Sequence, residues 1–170
     1  MEKNLYIRPV AETDVRAITE IYNYYIEQTT ISFETQKLSV AEMLERIRSI
    51  CEHWPYFVVA DRSNEIERVV GYCYAHPWKE RIAYCHTLEV TIYLDVNEKG
   101  RGIGTQLMNH LINQCRSRKD IHALIACITE ENTLSMAFHK QLGFEKVSHF
   151  KQVGNKFNRW LDVVDMELVL

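Results

Sequence analysis

The chain lacks an excess of either charge: 20 Lys and Arg against 23 Asp and Glu leave a net charge of −3 over 170 residues. A protein that tracks nucleic acid or an anionic membrane surface needs a basic stripe, so neither partner is expected. No apolar run approaches the roughly 20 residues that cross a bilayer. The opening stretch MEKNLYIRP has no apolar core of the kind a signal peptide needs. Cysteine is present, but Cys51, Cys73, Cys85, Cys115 and Cys127 form no CxxC and no metal-ligand spacing. No metal is therefore expected. Most of these thiols are expected to be reduced core residues in a cytoplasmic protein. Repeats, linkers and low-complexity segments are missing too, and the length suits one domain over residues 1–170.

What the chain does have is a distinctive stretch from Leu88 to Gln114. In LEVTIYLDV the side chains alternate, placing Leu88, Val90, Ile92 and Leu94 on one face and Glu89, Thr91 and Tyr93 on the other. From Ile103 the period becomes helical, with Ile103, Leu107, Met108, Leu111, Ile112 and Cys115 on one stripe. Between the two lie Gly100, Gly102 and Gly104, with Arg101 among them. Glycines there let a ligand approach the backbone, and the first helical turn offers N–H groups with no partner inside the helix. That is an anion site of a size that suits a pyrophosphate. A P-loop would need lysine between Gly104 and Thr105, and a dinucleotide fingerprint would need a third glycine at Thr105 or Leu107.

The remaining chain reads as a strand at Leu5–Arg8, a helix capped by Thr13 or Asp14, and a second helix capped by Ser39. YFVVAD and VVGYCYAH follow as a hairpin, then the aromatic and cationic bend PWKERIAY before the central strand. After the glycine loop and its helix come the strand HALIACIT and a helix opened by Asn132. FEKVSHFKQV and KFNRWLDVVDMELVL close the chain as a hairpin turning at Gly154-Asn155. The order β-α-α-β-β-β-α-β-α-β-β predicts an α+β fold, a mixed and mostly antiparallel central sheet flanked by helices.

KGRGIG resembles the Gln/Arg-x-x-Gly-x-Gly/Ala motif of the GNAT N-acetyltransferases, with Lys99 in place of the usual Gln or Arg. SMAFHKQLGF after Asn132 is similar to the family's Asn…Phe-Tyr-x-x-x-Gly-Phe segment. Within the family the chain looks most like the phosphinothricin and methionine sulfoximine/sulfone acetyltransferases. HTLEVTIYL resembles their Thr-Val-Glu-x-x-Val-Tyr-Val strand, with Val90 where serine is frequent. AHPWKERIAY resembles their Gly-Pro-Trp-Lys-x-Arg-x-Ala-Tyr bend. TTISFET and VGNKFNRWLD resemble two further segments, so the likeness runs nearly end to end.

This resemblance implies acetyl-CoA as co-substrate, a small-molecule amine as acceptor and a homodimer. Acetyl transfer to an amine needs a base to remove the ammonium proton, and the resemblance places that base at Glu89. Read from residues alone, Glu89 is equally a solvated glutamate on a strand face. His139 takes the place from which the family protonates the departing thiolate; the bland reading is a satisfied interior histidine. The pyrophosphate would meet Lys99, Gly100, Arg101, Gly102, Ile103, Gly104 and Thr105. Pantetheine would lie along the backbone of Ile92, Tyr93 and Leu94. Asn132 would touch the same arm, and is an N-cap on either reading. Asn132 and His139, seven residues apart, would share a helix face about 10 Å apart along the axis. For the acceptor, Arg81 or Lys79 beside Trp78 and Tyr84 would hold a carboxylate, with Phe33 as a wall. A protein or polyamine acceptor, or a non-catalytic acyl-CoA sensor, are the competing expectations.

Overall fold

The computed structural model describes residues 4–63, 66–98 and 100–170, and their packing divides the chain into two compact units. One comprises Met1–Asn23, Leu38–Ala75 and Thr91–Cys115; the other comprises Tyr24–Lys37, His76–Val90 and Arg116–Leu170.

In the first unit, β1 (Leu5–Pro9) lies antiparallel to β2 (Tyr56–Asp61), and β2 antiparallel to β3 (Arg68–Pro77), with a bulge between Val59 and Ala60. β3 is followed in the sheet by β4 (Thr87–Leu94), whose last four residues belong to this unit. β2 is buried along its whole length, so its sequence is a continuous apolar run and not an alternating one. The helix α1 (Val15–Gln28) follows a 3-10 turn at Glu12–Asp14. The Asp14 carboxylate accepts from the Ala11 N–H at 2.8 Å and pairs with Arg8 at 2.6 Å, fixing the helix entry. In α2 (Val40–Cys51) the Ser39 hydroxyl accepts from the Glu42 N–H, and Glu42 returns the bond to the Ser39 N–H at 2.7 Å, a capping box. The apolar stripe of α3 (Ile103–Arg116) is buried at all six positions. The Phe57 ring meets His110 edge-on at 4.5 Å, which sets α3 against β2.

In the second unit, β4 runs parallel to β5 (Ala123–Thr129) over Thr87–Glu89 and Ala123–Ile125. β5 pairs antiparallel with β8 (Arg159–Val169) over seven residues. Both β6 (Glu145–Lys146) and β7 (Phe150–Lys156) also pair with β8. Between β5 and β6 stands α4 (Thr133–Gln141), which ends at Gly143 with φ 95°, a conformation that favours glycine. The architecture is α+β, a mixed and mostly antiparallel sheet flanked by helices.

Three expectations are corrected. The C-terminal hairpin does not turn at Gly154-Asn155: both residues lie inside β7, opposite Leu161 and Trp160. The turn is Phe157-Asn158, both at positive φ (53° and 56°) between the paired Lys156 and Arg159, a two-residue hairpin loop. FEKVSHFKQV is two strands, β6 and β7, with Gln152 at φ 56° inside a register shift. The cysteines are not mostly core: Cys73 and Cys115 are buried, whereas Cys51, Cys85 and Cys127 are exposed. Along β4, Leu88 and Val90 are buried, but Ile92 and Leu94 are only half-buried, like Tyr93.

Candidate active site

The glycine loop forms as its spacing predicts. Gly100 and Gly102 adopt φ of 75° and 74°, with no atom within 4 Å of where a side chain would begin. The helix begins at Ile103, and the Gly102 carbonyl accepts from the Gln106 N–H at 3.2 Å. The N–H groups of Ile103, Gly104 and Thr105 therefore occupy the first turn, where no intrahelical acceptor exists, at the positive end of the helix dipole. Arg101 beside them is partly exposed and donates to Glu98 at 3.0 Å. Glu98 itself is buried and also takes Arg68 at 2.5 Å, so one carboxylate anchors the loop from beneath. Lys99 lies outside the described residues. Backbone approach, helix N–H groups and an arginine together fit a pyrophosphate.

β4 leads into this loop. The Tyr93 ring is met edge-on by Tyr22 at 5.1 Å and lies tilted against Tyr72 at 5.7 Å. Leu94 lies so close to Gly71 that a Cβ there would collide with it. These side chains are locked by packing, which leaves the backbone of Ile92–Leu94 as the part suited to an extended ligand.

Glu89, in the second unit, is half-buried on β4. In-register pairing with Ile125 sets it on the same sheet face as Cys127, Asp165 and Glu167. Burial first, and the Asp165 charge second, raise its carboxyl above the ordinary carboxylate range. The Cys127 thiol is pushed up to about 12 by desolvation, with Glu89 and Asp165 adding to the shift, so it is no nucleophile at neutral pH. The Trp78 N–H donates to the Thr87 carbonyl at 3.2 Å, which continues two residues on to set His76 opposite Glu89. His76 Nε2 is 4.0 Å from the Glu89 carboxylate, beyond hydrogen bonding.

In the bend, Lys79 Nζ sits 3.8 Å over the Trp78 ring and 5.2 Å over Tyr84, and the two rings meet edge-on. The aromatic faces engage this ammonium. Arg81 is exposed, and its backbone carbonyl closes the turn by accepting from the Tyr84 N–H at 2.9 Å. Its planar guanidinium is suited to a carboxylate better than the Lys79 ammonium is. The Phe33 ring rests on Gly154 of β7, where a Cβ would collide with it.

Asn132 caps α4, its side-chain oxygen accepting from the Ser135 N–H at 3.2 Å. A cavity of about 370 Å³ opens beside it, bordered by Thr30, Glu131, Phe157 and Arg159 among others. His139 is buried, with the rings of Phe138 and Phe144 each about 5 Å away and edge-on. Its Nδ1 bonds the Ser135 carbonyl at 2.9 Å. Among the described residues, its Nε2 is the buried side-chain nitrogen or oxygen with no hydrogen-bond partner. Burial lowers its pKa, so the ring is neutral, with the proton on Nδ1 and a lone pair at Nε2. In that state Nε2 accepts a proton; it has none to give.

Residues 7–164 match the acetyltransferase (GNAT) domain. The chain belongs to the GNAT acetyltransferases. It is 32% identical to a phosphinothricin N-acetyltransferase of Streptomyces coelicolor over 92% of this chain and 91% of that one. It is 31% identical to the L-methionine sulfoximine/L-methionine sulfone acetyltransferase of Pseudomonas aeruginosa, over 96% and 94%. A phosphinothricin acetyltransferase from Sinorhizobium meliloti, solved in complex with acetyl-CoA, superposes with a TM-score of 0.92 at 34% identity. That likeness covers 98% of this chain and 88% of the other.

This GNAT protein is an acetyl-CoA-dependent N-acetyltransferase. Acetyl-CoA supplies a thioester already activated for attack by an amine, and the loop after β4 offers donors that suit a pyrophosphate. Among the described residues no group of three or more His, Cys, Asp or Glu side chains could hold a metal ion. No described helix is long and apolar enough to cross a membrane. Three contributors escape a reading by motif: His76, Asp165 and Glu98. Asp165 and Glu98 carry no local signal, because strand register and burial give them their roles. His76 lies inside the AHPWKERIAY stretch, but only the ladder to β4 turns it toward Glu89.

Proposed function

We propose that the acetyltransferase acts on the α-amino group of a small amino-acid acceptor of the phosphinothricin or methionine sulfoximine/sulfone type, with Glu89 as general base. The observation that carries the reading is the state of Glu89. Burial, with the Asp165 charge second, raises this half-buried but still accessible carboxyl above the ordinary carboxylate range, the direction that favours a general base. The amine nitrogen, freed of its proton, attacks the thioester carbonyl; the C–N bond forms, the nitrogen sheds a second N–H proton, and the C–S bond breaks as the departing thiolate takes up a proton. An exposed Arg81 supports a carboxylate-bearing acceptor, since its planar fork matches a carboxylate bidentately. Phe33, Trp78 and Tyr84 supply apolar surface for the acceptor's side chain. His139, neutral at Nε2, assists the thiolate only by first taking up a proton.

Thiol release from acetyl-CoA tests this with phosphinothricin, L-methionine sulfoximine, L-methionine sulfone, spermidine and an N-terminal peptide as acceptors. Turnover with the first three supports the reading. Turnover confined to the peptide or to spermidine sinks the acceptor assignment while leaving the acetyl donor in place. We extend the reading to a homodimer; Phe150, Val153 and Trp160, exposed on the C-terminal hairpin, supply apolar surface for it. Sedimentation equilibrium giving a 20.1 kDa species alone would remove the dimer.

A further inference from the structure

His76 stands on β3 opposite Glu89, and the structure turns it toward the proposed base. Its Nδ1 lies 3.1 Å from the Pro77 carbonyl, an acceptor only, so Nδ1 carries the hydrogen. The Nε2 lone pair is then the atom that faces Glu89 at 4.0 Å. A movement of about 1 Å by either side chain brings that pair within hydrogen-bond reach. Both groups belong to one compact unit and to neighbouring positions of the β3–β4 ladder.

We propose that His76 is the proton acceptor behind Glu89, carrying the acceptor amine's proton from the carboxylate to solvent. The inference rests on Glu89 being the base. In the first step an amine N–H bond breaks, its electron pair stays on nitrogen, and the proton bonds to a Glu89 carboxylate oxygen. In the second, that O–H bond breaks, its pair returns to the carboxylate, and the proton bonds to the His76 Nε2 lone pair. The imidazolium, one-third exposed, then loses the proton to water, restoring both groups. Nothing is oxidised or reduced.

The surroundings bring the two proton affinities closer together, so the proton can pass between the groups and the exit to water sets its direction. Desolvation lowers the His76 pKa, which keeps the ring neutral and ready to accept between turnovers. Asp165 on β8 adds negative charge near Glu89, and Cys127 on β5 remains a neutral thiol beside it. His76 acts through Glu89 and is a positioning residue in the proton path.

The test follows acetyl transfer by wild type, His76→Ala, His76→Gln and Glu89→Gln, with L-methionine sulfone or the fastest amine of the panel above, with and without imidazole. Loss of a proton-transfer partner costs upwards of about tenfold in rate, so His76→Ala is expected to fall by at least that in kcat/KM. Added imidazole should restore it in proportion to the free-base concentration. His76→Gln fills the space without carrying a proton, so it should be as slow and should stay slow in imidazole. A purely structural histidine would give a loss that imidazole leaves untouched, and that result overturns the proposal. So does a His76→Ala enzyme as fast as wild type when Glu89→Gln is slow. If Glu89→Gln itself turns over normally, the base assignment falls, and the proton path with it.

Discussion

The ring of Phe33 lies against the α-carbon of Gly154, 121 positions along the chain, with no room for a Cβ between them. Beside it, Lys156 Nζ donates to the Ser32 carbonyl at 2.6 Å from a buried position. The two contacts pin the segment carrying Phe33 to β7. Gly154→Ala is expected to push the Phe33 ring outward. The acceptor's KM should then rise about fivefold, equivalent to about 1 kcal/mol, with the KM for acetyl-CoA unchanged. Steady-state kinetics with each substrate varied in turn check this; an unchanged acceptor KM removes Phe33 from the acceptor site.

Glu89 must be ionised to accept a proton, so activity should increase as pH rises through its pKa. Burial and Asp165 place that pKa above the ordinary 4.5, and the acid limb of kcat/KM should lie above it too. Asp165→Asn removes a like charge, which stabilises the Glu89 carboxylate and should move the acid limb to lower pH. Glu89→Gln should lower kcat by about 100-fold or more while calorimetric binding of acetyl-CoA is retained. A pH profile for Asp165→Asn that matches wild type would show that Asp165 does not act on the base.

Arg81 is exposed, so Arg81→Ala should leave thermal stability nearly unchanged. A hydrogen-bonded charge is worth about 1.5–3 kcal/mol, so the acceptor's KM should rise by about 10- to 100-fold. The KM for acetyl-CoA serves as the internal control. If both rise together, Arg81 does not hold the acceptor.

Gly102 sits at φ 74° with open space beside it, so Gly102→Ala meets backbone strain without a clash. A left-handed alanine costs about 1–2 kcal/mol, and the loop should relax away from its present shape. Acetyl-CoA should bind about tenfold more weakly, measured by calorimetry, with the acceptor's KM unaffected. Retained affinity would mean that the backbone at Gly102 does not shape the pyrophosphate site.

The elements whose residues interact with near neighbours in the chain were legible without the structure. The six-residue stripe of α3, the Ser39 cap, the Asn132 cap and the glycine loop each arise from residues a few positions apart. Periodicity and propensity act at that range, and all four form where the sequence puts them. Glu89 on the polar side of β4 followed from the same two-residue alternation. Its elevated pKa did not, because burial, the larger cause, comes from packing, and Asp165, 76 positions away, reaches it only through the β4–β5–β8 register.

Tertiary contact also reassigned residues that looked local. Gly154-Asn155 has turn composition, yet the glycine serves the close approach of Phe33, and the turn passes to Phe157-Asn158. Glu98 reads as one more surface acid until burial makes it the anchor for Arg68 and Arg101. His139 reads as a donor, whereas burial and the Ser135 carbonyl leave it neutral, with a lone pair at Nε2. The sequence by itself determined the helices, the central strands and the glycine loop, since their energies depend on residues a few positions apart. Protonation states, and which polar groups face one another, were decided by the tertiary structure, because burial and charge act through space between residues far apart in the chain.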